Sequence, residues 1–227
     1  NGLRARREQF LDWLGRDRPD IVCLQEIKAS PSQLSEDICS LNGYWCYWHG
    51  GKGYSGVGLH VSKQFAPERP AFEHPAFDYE NRIVVVRLPQ VTVASVYVPN
   101  GGKDFPAKMR FLGALEQYVA DARGDGPLVI CGDLNIARTE MDVHPKERKP
   151  GIIGQRPEER ELFTTLLGEH SVDVARELHP DTEGMFTWWA PWRNMRARNI
   201  GWRLDYVLAS PAIAARATSC KVLADFG

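Results

Sequence analysis

Two short apolar runs, Ile21-Val22-Cys23-Leu24 and Leu128-Val129-Ile130-Cys131, stop abruptly at polar residues. Gln25-Glu26 follows the first and Gly132-Asp133 the second. Runs of this length, rich in β-branched residues, predict buried strands. Ahead of the first, Leu3, Arg7, Phe10, Leu11 and Leu14 recur at helical spacing until Arg18-Pro19-Asp20. Ser30-Pro31 supplies an N-cap and a proline at the first helical position, predicting a helix to about Leu41. Further strands are predicted over residues 44–48, 56–61, 82–88 and 91–97, the last two joined tightly through Pro89-Gln90. Residues 105–122 read as a longer helix with Phe111, Leu115, Tyr118 and Val119 on one face, and Pro157 opens another that runs to Leu167. The last strands are predicted at residues 185–189, 204–208 and near 220–223. Strand pairs mixed with isolated helices, without a βαβ rhythm, predict an α/β fold: a four-layer α/β/β/α sandwich, two mixed β-sheets face to face with helices outside. No linker or repeat divides the chain, so a single domain over residues 1–227 is expected.

Composition narrows the class. Of 227 residues, 43% are hydrophobic and 25% charged, which excludes wholesale disorder. No apolar run approaches the ~18 residues of a membrane span, and no apolar stretch backs the arginines of Asn1-Gly2-Leu3-Arg4-Ala5-Arg6-Arg7 as a signal peptide would require. The five cysteines are odd in number and lack a C-x-x-C spacing, so a disulfide framework and a zinc knuckle are both disfavoured. Cys23 and Cys131 read as buried free thiols, and a reducing, cytoplasmic or nucleoid-associated location is expected. The formal net charge of −1 excludes a globally basic nucleic-acid binder. Locally the balance differs. Arg193, Arg196, Arg198 and Arg203 fall in one stretch without an acid, and Trp192 and Trp202 interleave with them. Guanidinium with aromatic is the pairing that grips phosphates and stacks bases.

Four places where strands run out carry the chemistry: Glu26, Tyr97, Asp133 with Asn135, and Asp205. An acid at a strand end is most often a turn former. In Gly132-Asp133-Leu134-Asn135, however, an alternation of period 2 puts the carboxylate and the amide on one side of an extended backbone. Such a pair, with a carboxylate from another strand, suits Mg²⁺, which takes few carboxylates and keeps waters or substrate oxygens in its shell. No cluster of histidine and cysteine is evident for a softer metal.

Five motifs in order, Asn1-Gly2-Leu3-Arg4-Ala5, Leu24-Gln25-Glu26-Ile27-Lys28, Tyr97-Val98-Pro99-Asn100, Gly132-Asp133-Leu134-Asn135 and Gly201-Trp202-Arg203-Leu204-Asp205-Tyr206, resemble the exonuclease III family of abasic-site endonucleases, within the endonuclease/exonuclease/phosphatase superfamily. The resemblance covers essentially the whole chain and implies a DNase I-like fold. It implies Mg²⁺, with Mn²⁺ as an alternative, held mainly by Glu26 with Asn1 at a second ligand position. Asp133 would deprotonate the attacking water, Asn135 orient it, Tyr97 touch the scissile phosphate, Asn100 bind a phosphate oxygen and Asp205 orient a catalytic histidine. Trp188, Trp202 and Leu204 match the pocket for the flipped-out abasic sugar. Arg193, Asn194, Met195, Arg196 and Asn199 match the loop that enters the DNA grooves. The implied activity is Mg²⁺-dependent cleavage 5′ to abasic sites in double-stranded DNA by a monomer, with 3′→5′ exonuclease activity and repair of 3′ lesions beside it.

The chain departs from that family at both ends. The family's first strand, with its ligand asparagine, would precede Asn1, and its Ser-Asp-His strand would follow Gly227. Both ends are therefore expected to be trimmed relative to the functional protein. Two rival readings are a different phosphodiesterase or phosphatase of the superfamily, and a homologue that binds DNA without cutting it.

Overall fold

A computed structural model of the protein describes residues 2–51, 53–124 and 126–224. The fold is mixed α/β, with sheets flanked by helices, and the chain folds as two compact units, one ending at Tyr97 and the other spanning Val98–Ala224.

In the first unit, helix α1 (Arg7–Asp17) leads into β1 (Ile21–Gln25). A short helix, α2 (Glu36–Cys39), precedes β2 (Tyr44–His49) and β3 (Val57–Ser62). These strands form an antiparallel sheet in the order β1-β3-β2, with Cys23 opposite Leu59 and Tyr47 opposite Leu59 from the other side. One face packs Val22, Leu24, Cys46 and Trp48 against Phe10, Leu14 and Ile38 of the helices. Strands β4 (Phe72–Glu73), β5 (Ile83–Leu88) and β6 (Val91–Tyr97) make an antiparallel meander. Four successive β5 residues, Ile83 to Val86, are fully buried, as a strand covered on both faces requires. A polar tie joins β1 to β6: Gln25 Nε2 donates to Ser95 Oγ (3.0 Å), which donates to the Leu24 carbonyl (3.2 Å).

In the second unit, α3 (Phe105–Asp121) is capped by Asp104, whose carboxylate accepts from the Ala107 N–H at 2.8 Å. It packs with α4 (Pro157–Leu167). Strands β7 (Leu128–Asp133), β11 (Asp205–Ala209) and β8 (Val172–Asp173) pair antiparallel in the order β7-β11-β8. Helices α5 (Val174–Leu178) and α6 (Pro211–Ala214) bury Val174 and Ala214 against Ala209. Strands β9 (Trp188–Trp189) and β10 (Gly201–Trp202) pair separately. Among the described residues, no helix is long and apolar enough to cross a membrane.

Several expectations change. The helix expected from Ser30 to Leu41 is a 3₁₀ turn, Pro31–Gln33, followed by α2, because Leu34 is extended (ψ 144°) and Ser35 caps a new start. The strand expected over residues 185–189 shrinks to β9, and residues 220–223 form no strand. Cys23 and Cys131 are half-buried rather than buried, and all five cysteines are free thiols.

Candidate active site

Glu26 follows β1 where the backbone turns through the left-handed region, with φ of +54° at Glu26 and +50° at Lys28. Two glycines make this turn possible. A Cβ on Gly50 would sit 2.4 Å from the Ala29 carbonyl oxygen, and one on Gly56 (φ +93°) would sit 2.6 Å from Ile27 Cγ1. The chain therefore wraps closely around buried Ile27, and Ile27 and Lys28 donate their N–H groups to the carbonyls of Gly56 (3.2 Å) and Ser55 (2.9 Å). The Glu26 carboxylate stays half exposed. Its Oε1 meets the Lys28 ammonium at 2.7 Å and accepts from the Tyr97 hydroxyl at 3.4 Å.

Tyr97 ends β6 and is held by a residue that sequence reasoning missed. Arg82 is 3% exposed; its guanidinium donates to the Tyr97 carbonyl (3.3 Å), Glu80 (2.9 Å) and the Tyr54 hydroxyl (3.0 Å). It also lies 4.9 Å from the Tyr97 ring centroid, within cation–π range. Its place one residue before an apolar strand gave no hint of this.

Asp133 and Asn135 come together, but not by strand alternation. Strand β7 ends at Asp133, and Asn135 adopts φ +54°. The turn brings the Asn135 N–H to Asp133 Oδ1 at 2.9 Å. The Asn135 amide is 8% exposed; its Nδ2 donates to the Val98 carbonyl (2.9 Å) and its Oδ1 accepts from Asn100 Nδ2 (3.2 Å). Val98 donates its N–H to the Asp133 carbonyl at 2.9 Å, so the Val-Pro-Asn and Gly-Asp-Leu-Asn segments interlock. Asp205, on β11, stands directly opposite Asp133 in the antiparallel register. Opposed carboxylates concentrate negative charge at this end of the sheet.

Beneath the interlock lies Lys108 of α3, fully buried and 2.5 Å from the fully buried Glu159 of α4. Its ammonium donates to the carbonyls of Asn135 (2.8 Å) and Asn100 (3.3 Å). Burial pulls the Lys108 pKa down, while Glu159 and then Asp133 oppose that shift. Glu159 Oε2 in turn accepts from the N–H groups of Gly154 (2.7 Å) and Arg156 (3.1 Å). One buried ion pair thus fixes three loops. In sequence, Lys108 is one more lysine on an amphipathic helix, and only the tertiary fold reveals its task.

The expected sugar-pocket residues do meet. Trp188 and Trp202 pair across β9 and β10 with rings edge-to-face at 5.9 Å, and Trp202 and Leu204 pack with Ala137 and Val143. Trp188 remains exposed and Trp202 is largely buried. Between Trp202 and Leu204, Arg203 points inward, its guanidinium on Asp142 (2.8 Å) and on both oxygens of Asp173 (2.6 and 3.0 Å). Arg176 adds a second donor to Asp142 at 2.8 Å. The two arginines hold the Asp142 carboxyl below the ordinary carboxylate range despite its burial. Asp205 and Leu204 both donate their N–H to Thr187 Oγ1 at 3.0 Å.

The arginine loop divides differently from expectation. Met195 is buried with Ala190 and Ile200 against Trp189, so it shapes the loop from inside instead of reaching out from it. Asn199 is spent internally: Oδ1 accepts from Trp189 Nε1 (3.1 Å) and Nδ2 donates to the Gly184 carbonyl (3.2 Å). Arg196 lies over the Trp189 ring and donates to the Ala224 carbonyl. Arg193, Asn194 and Arg198 are exposed, with Trp192 beside them, and Asn199 is exposed too although its amide is engaged within the loop. Asn1 lies outside the described residues.

A model of the Endonuclease/Exonuclease/phosphatase family matches residues 1–226. The chain is 33% identical over 230 residues to an exodeoxyribonuclease of Bacillus subtilis, covering 99% of this chain and 91% of that protein. It is 36% identical over 214 residues to recombination repair protein 1 of Drosophila melanogaster, covering 92% of this chain but only 32% of the longer fly protein. An AP endonuclease structure from Archaeoglobus fulgidus superposes with a TM-score of 0.86 at 26% identity, over 97% of this chain and 88% of that one.

Proposed function

The chain belongs to the endonuclease/exonuclease/phosphatase family, and from that premise we propose that it is a DNA-repair nuclease that cuts the phosphodiester on the 5′ side of abasic sites in duplex DNA. The observation that carries the reading is the Asp133–Asn135–Asn100 cluster, a carboxylate and two amides locked in place by a buried ion pair. Its relatives named exodeoxyribonuclease and AP endonuclease support the substrate class.

The donors suit a hard divalent cation. Glu26 offers carboxylate oxygens beside a phenol, with no sulfur or imidazole grouped with it among the described residues, and a lysine ammonium already rests on Oε1. Glu26, with Asn1 as a further ligand, would hold Mg²⁺ or Mn²⁺. When bound, the cation offsets the charge of the phosphate and of the departing oxygen. The rest falls to the protein. Asp133 takes a proton from water, and the water oxygen attacks phosphorus in line. The P–O3′ bond breaks, and the departing oxygen takes a proton to become a 3′-hydroxyl. The phosphate stays 5′ on the abasic sugar. Asn135 orients the water, Asn100 donates to a phosphate oxygen and Tyr97 contacts the same phosphate. Arg193 and Arg198 grip backbone phosphates, and Trp188, Trp202 and Leu204 receive the sugar, whose extrusion is easiest where no base must be unstacked. The exonuclease and 3′-repair activities use the same hydrolysis at a strand end.

A nicking assay on a duplex with a single abasic analogue tests this. Expected are one product ending in a 3′-hydroxyl, dependence on added Mg²⁺ or Mn²⁺, and little cutting of intact duplex. Binding without nicking at any metal concentration, or faster turnover of phospholipid head groups, overturns it.

A further inference from the structure

A second set of metal-ligating side chains lies in the first unit, remote in sequence from the residues assigned to hydrolysis. His49 is the last residue of β2, on the same face as Tyr47. His74 follows β4, and Asp78 lies in the turn before β5. The His49 and His74 rings stack at 3.8 Å between centroids, and His49 Nε2 is 2.6 Å from Asp78 Oδ2. One ligand atom from each of His49, His74 and Asp78 falls within 4.8 Å of the other two.

The atoms facing away from this meeting point are already committed. His74 Nδ1 is 3.0 Å from the Ile83 carbonyl, which can only accept, so Nδ1 carries a hydrogen and the lone pair of the neutral ring sits on Nε2. Asp78 Oδ1 accepts from the N–H groups of Arg82 (2.8 Å) and Ile83 (3.1 Å), leaving Oδ2 turned towards His49. An imidazole anchored to a backbone carbonyl through its far nitrogen, and a carboxylate anchored through its far oxygen, are the outer-shell arrangement of protein metal ligands. An ordinary ion pair needs only the His49–Asp78 contact. It does not need His74 stacked on His49 with its lone pair fixed.

We propose that His49, His74 and Asp78 form a binding site for a transition-metal dication of the zinc class. Two imidazole nitrogens and one carboxylate suit Zn²⁺, Co²⁺ or Ni²⁺ and are a poor set for Mg²⁺. Bonds of about 2.0–2.1 Å fit a separation of roughly 3.3 Å between ligand atoms, so the His49–Asp78 contact opens slightly and the His74 side closes around the ion. The Tyr47 hydroxyl, 2.8 Å from His74 Nε2, donates to that lone pair when no ion is present, and an ion taking the lone pair would leave the hydroxyl beside the fourth position. The ion would clasp the end of β2 to the turn that carries Arg82, whose guanidinium holds the Tyr97 carbonyl. Its effect is then to stiffen the Tyr97 support, not to join in hydrolysis.

Chelator-treated protein titrated with Co²⁺ is expected to take up one equivalent with the visible absorption of a four- or five-coordinate nitrogen–oxygen site. Zn²⁺ should abolish those bands and raise the melting temperature. The bands should persist in Glu26→Gln and be lost in His74→Gln and Asp78→Asn, with Zn²⁺ affinity falling at least ~100-fold, more than loss of an outer-shell partner costs. His49→Gln, whose long amide keeps much of the volume, repeats the test if Asp78→Asn disrupts its turn. Absence of the bands in the unmodified protein, their survival in the His74 and His49 variants, or their loss with Glu26→Gln alone overturns the proposal. The last outcome would reassign the ion to Glu26, and none of these outcomes bears on whether abasic DNA is cut.

Discussion

Glu26 follows the end of one strand and Asp133 ends another, with positive φ at Glu26 itself and at Asn135 after Asp133, yet the two places are built on opposite plans. Around Glu26 the backbone is rigid and the carboxylate is not: Gly50 and Gly56 press the chain on Ile27, while the side chain stands half exposed beside Lys28. Around Asp133 the side chains themselves are fixed. Asn135 N–H holds the carboxylate, Asn100 and Val98 hold the Asn135 amide, and buried Lys108 holds the carbonyls of both asparagines. Under the proposed mechanism Glu26 accepts a cation and its waters, and such a group gains from room to adjust. A group that must aim a water at phosphorus gains from having none, since misplacement by an ångström costs about 100-fold in rate.

That contrast sets the order of expected effects. Asp133→Asn should lower nicking by ~10²–10⁴-fold and leave DNA binding intact or tighter, because it removes the proposed base and one repulsive charge with it. Glu26→Gln should lose less, and part of the loss should return as Mg²⁺ is raised in the assay. If both variants respond alike to Mg²⁺, the division of labour between the two acids is wrong. Lys108→Met should destabilise the fold by about 3–5 kcal/mol, since it strands a buried glutamate. Chemical denaturation should show a good part of that loss regained in Lys108→Met with Glu159→Gln, which removes the stranded charge and keeps an oxygen for the Gly154 N–H.

The first unit has its own buried titratable group. His60 on β3 is fully buried with its ring edge-on to Trp48 at 4.3 Å, and neither ring nitrogen has a hydrogen-bond partner among the described residues. Burial pushes its pKa down to about 4 from 6.5. The unfolded chain then binds a proton that the folded one refuses, so stability is lost as pH falls from about 6.5 towards 4. The loss reaches roughly 3 kcal/mol at the acid end. Denaturant midpoints in His60→Leu should be flatter across that window; an unchanged slope assigns the acid sensitivity elsewhere. Smallest is Trp202→Ala, expected to reduce discrimination between abasic and intact duplex by ~1–3 kcal/mol. If melting falls sharply while selectivity among folded molecules holds, Trp202 is core and the pocket belongs to Trp188.

The same contrast explains what could be read without coordinates. Strands β1, β5, β6 and β7, the Pro89-Gln90 hairpin and α4 were legible because each signal is local: an apolar run, a turn pair, a proline at a helix start. The position of Glu26 was legible for the same reason. The machinery behind Asp133 was not. Lys108 is buried because the turned carbonyls of Asn135 and Asn100 need a donor, and those residues lie 27 and 8 positions away. Met195 misled in a related way, since a methionine among arginines reads as exposed until Trp189 and Ile200 close over it. The His49–His74–Asp78 cluster was illegible because it joins a strand end to a turn almost thirty residues on.

Arg203 carries a consequence for how the second unit comes apart. Its guanidinium and backbone N–H both end on Asp142, and its two Nη atoms end on Asp173 at the start of α5. Water cannot reach any one of these groups without stripping charge partners from the others. The Thr139–Asp142 turn, β8 and the β10–β11 junction should therefore open as one cooperative block, with amide protons that exchange together and slowly. Amides on the outer rim of the arginine loop, at Arg193 and Arg198, belong to no such block and should exchange ahead of it. The slow face of the loop is thereby set by a residue whose own side chain never reaches solvent.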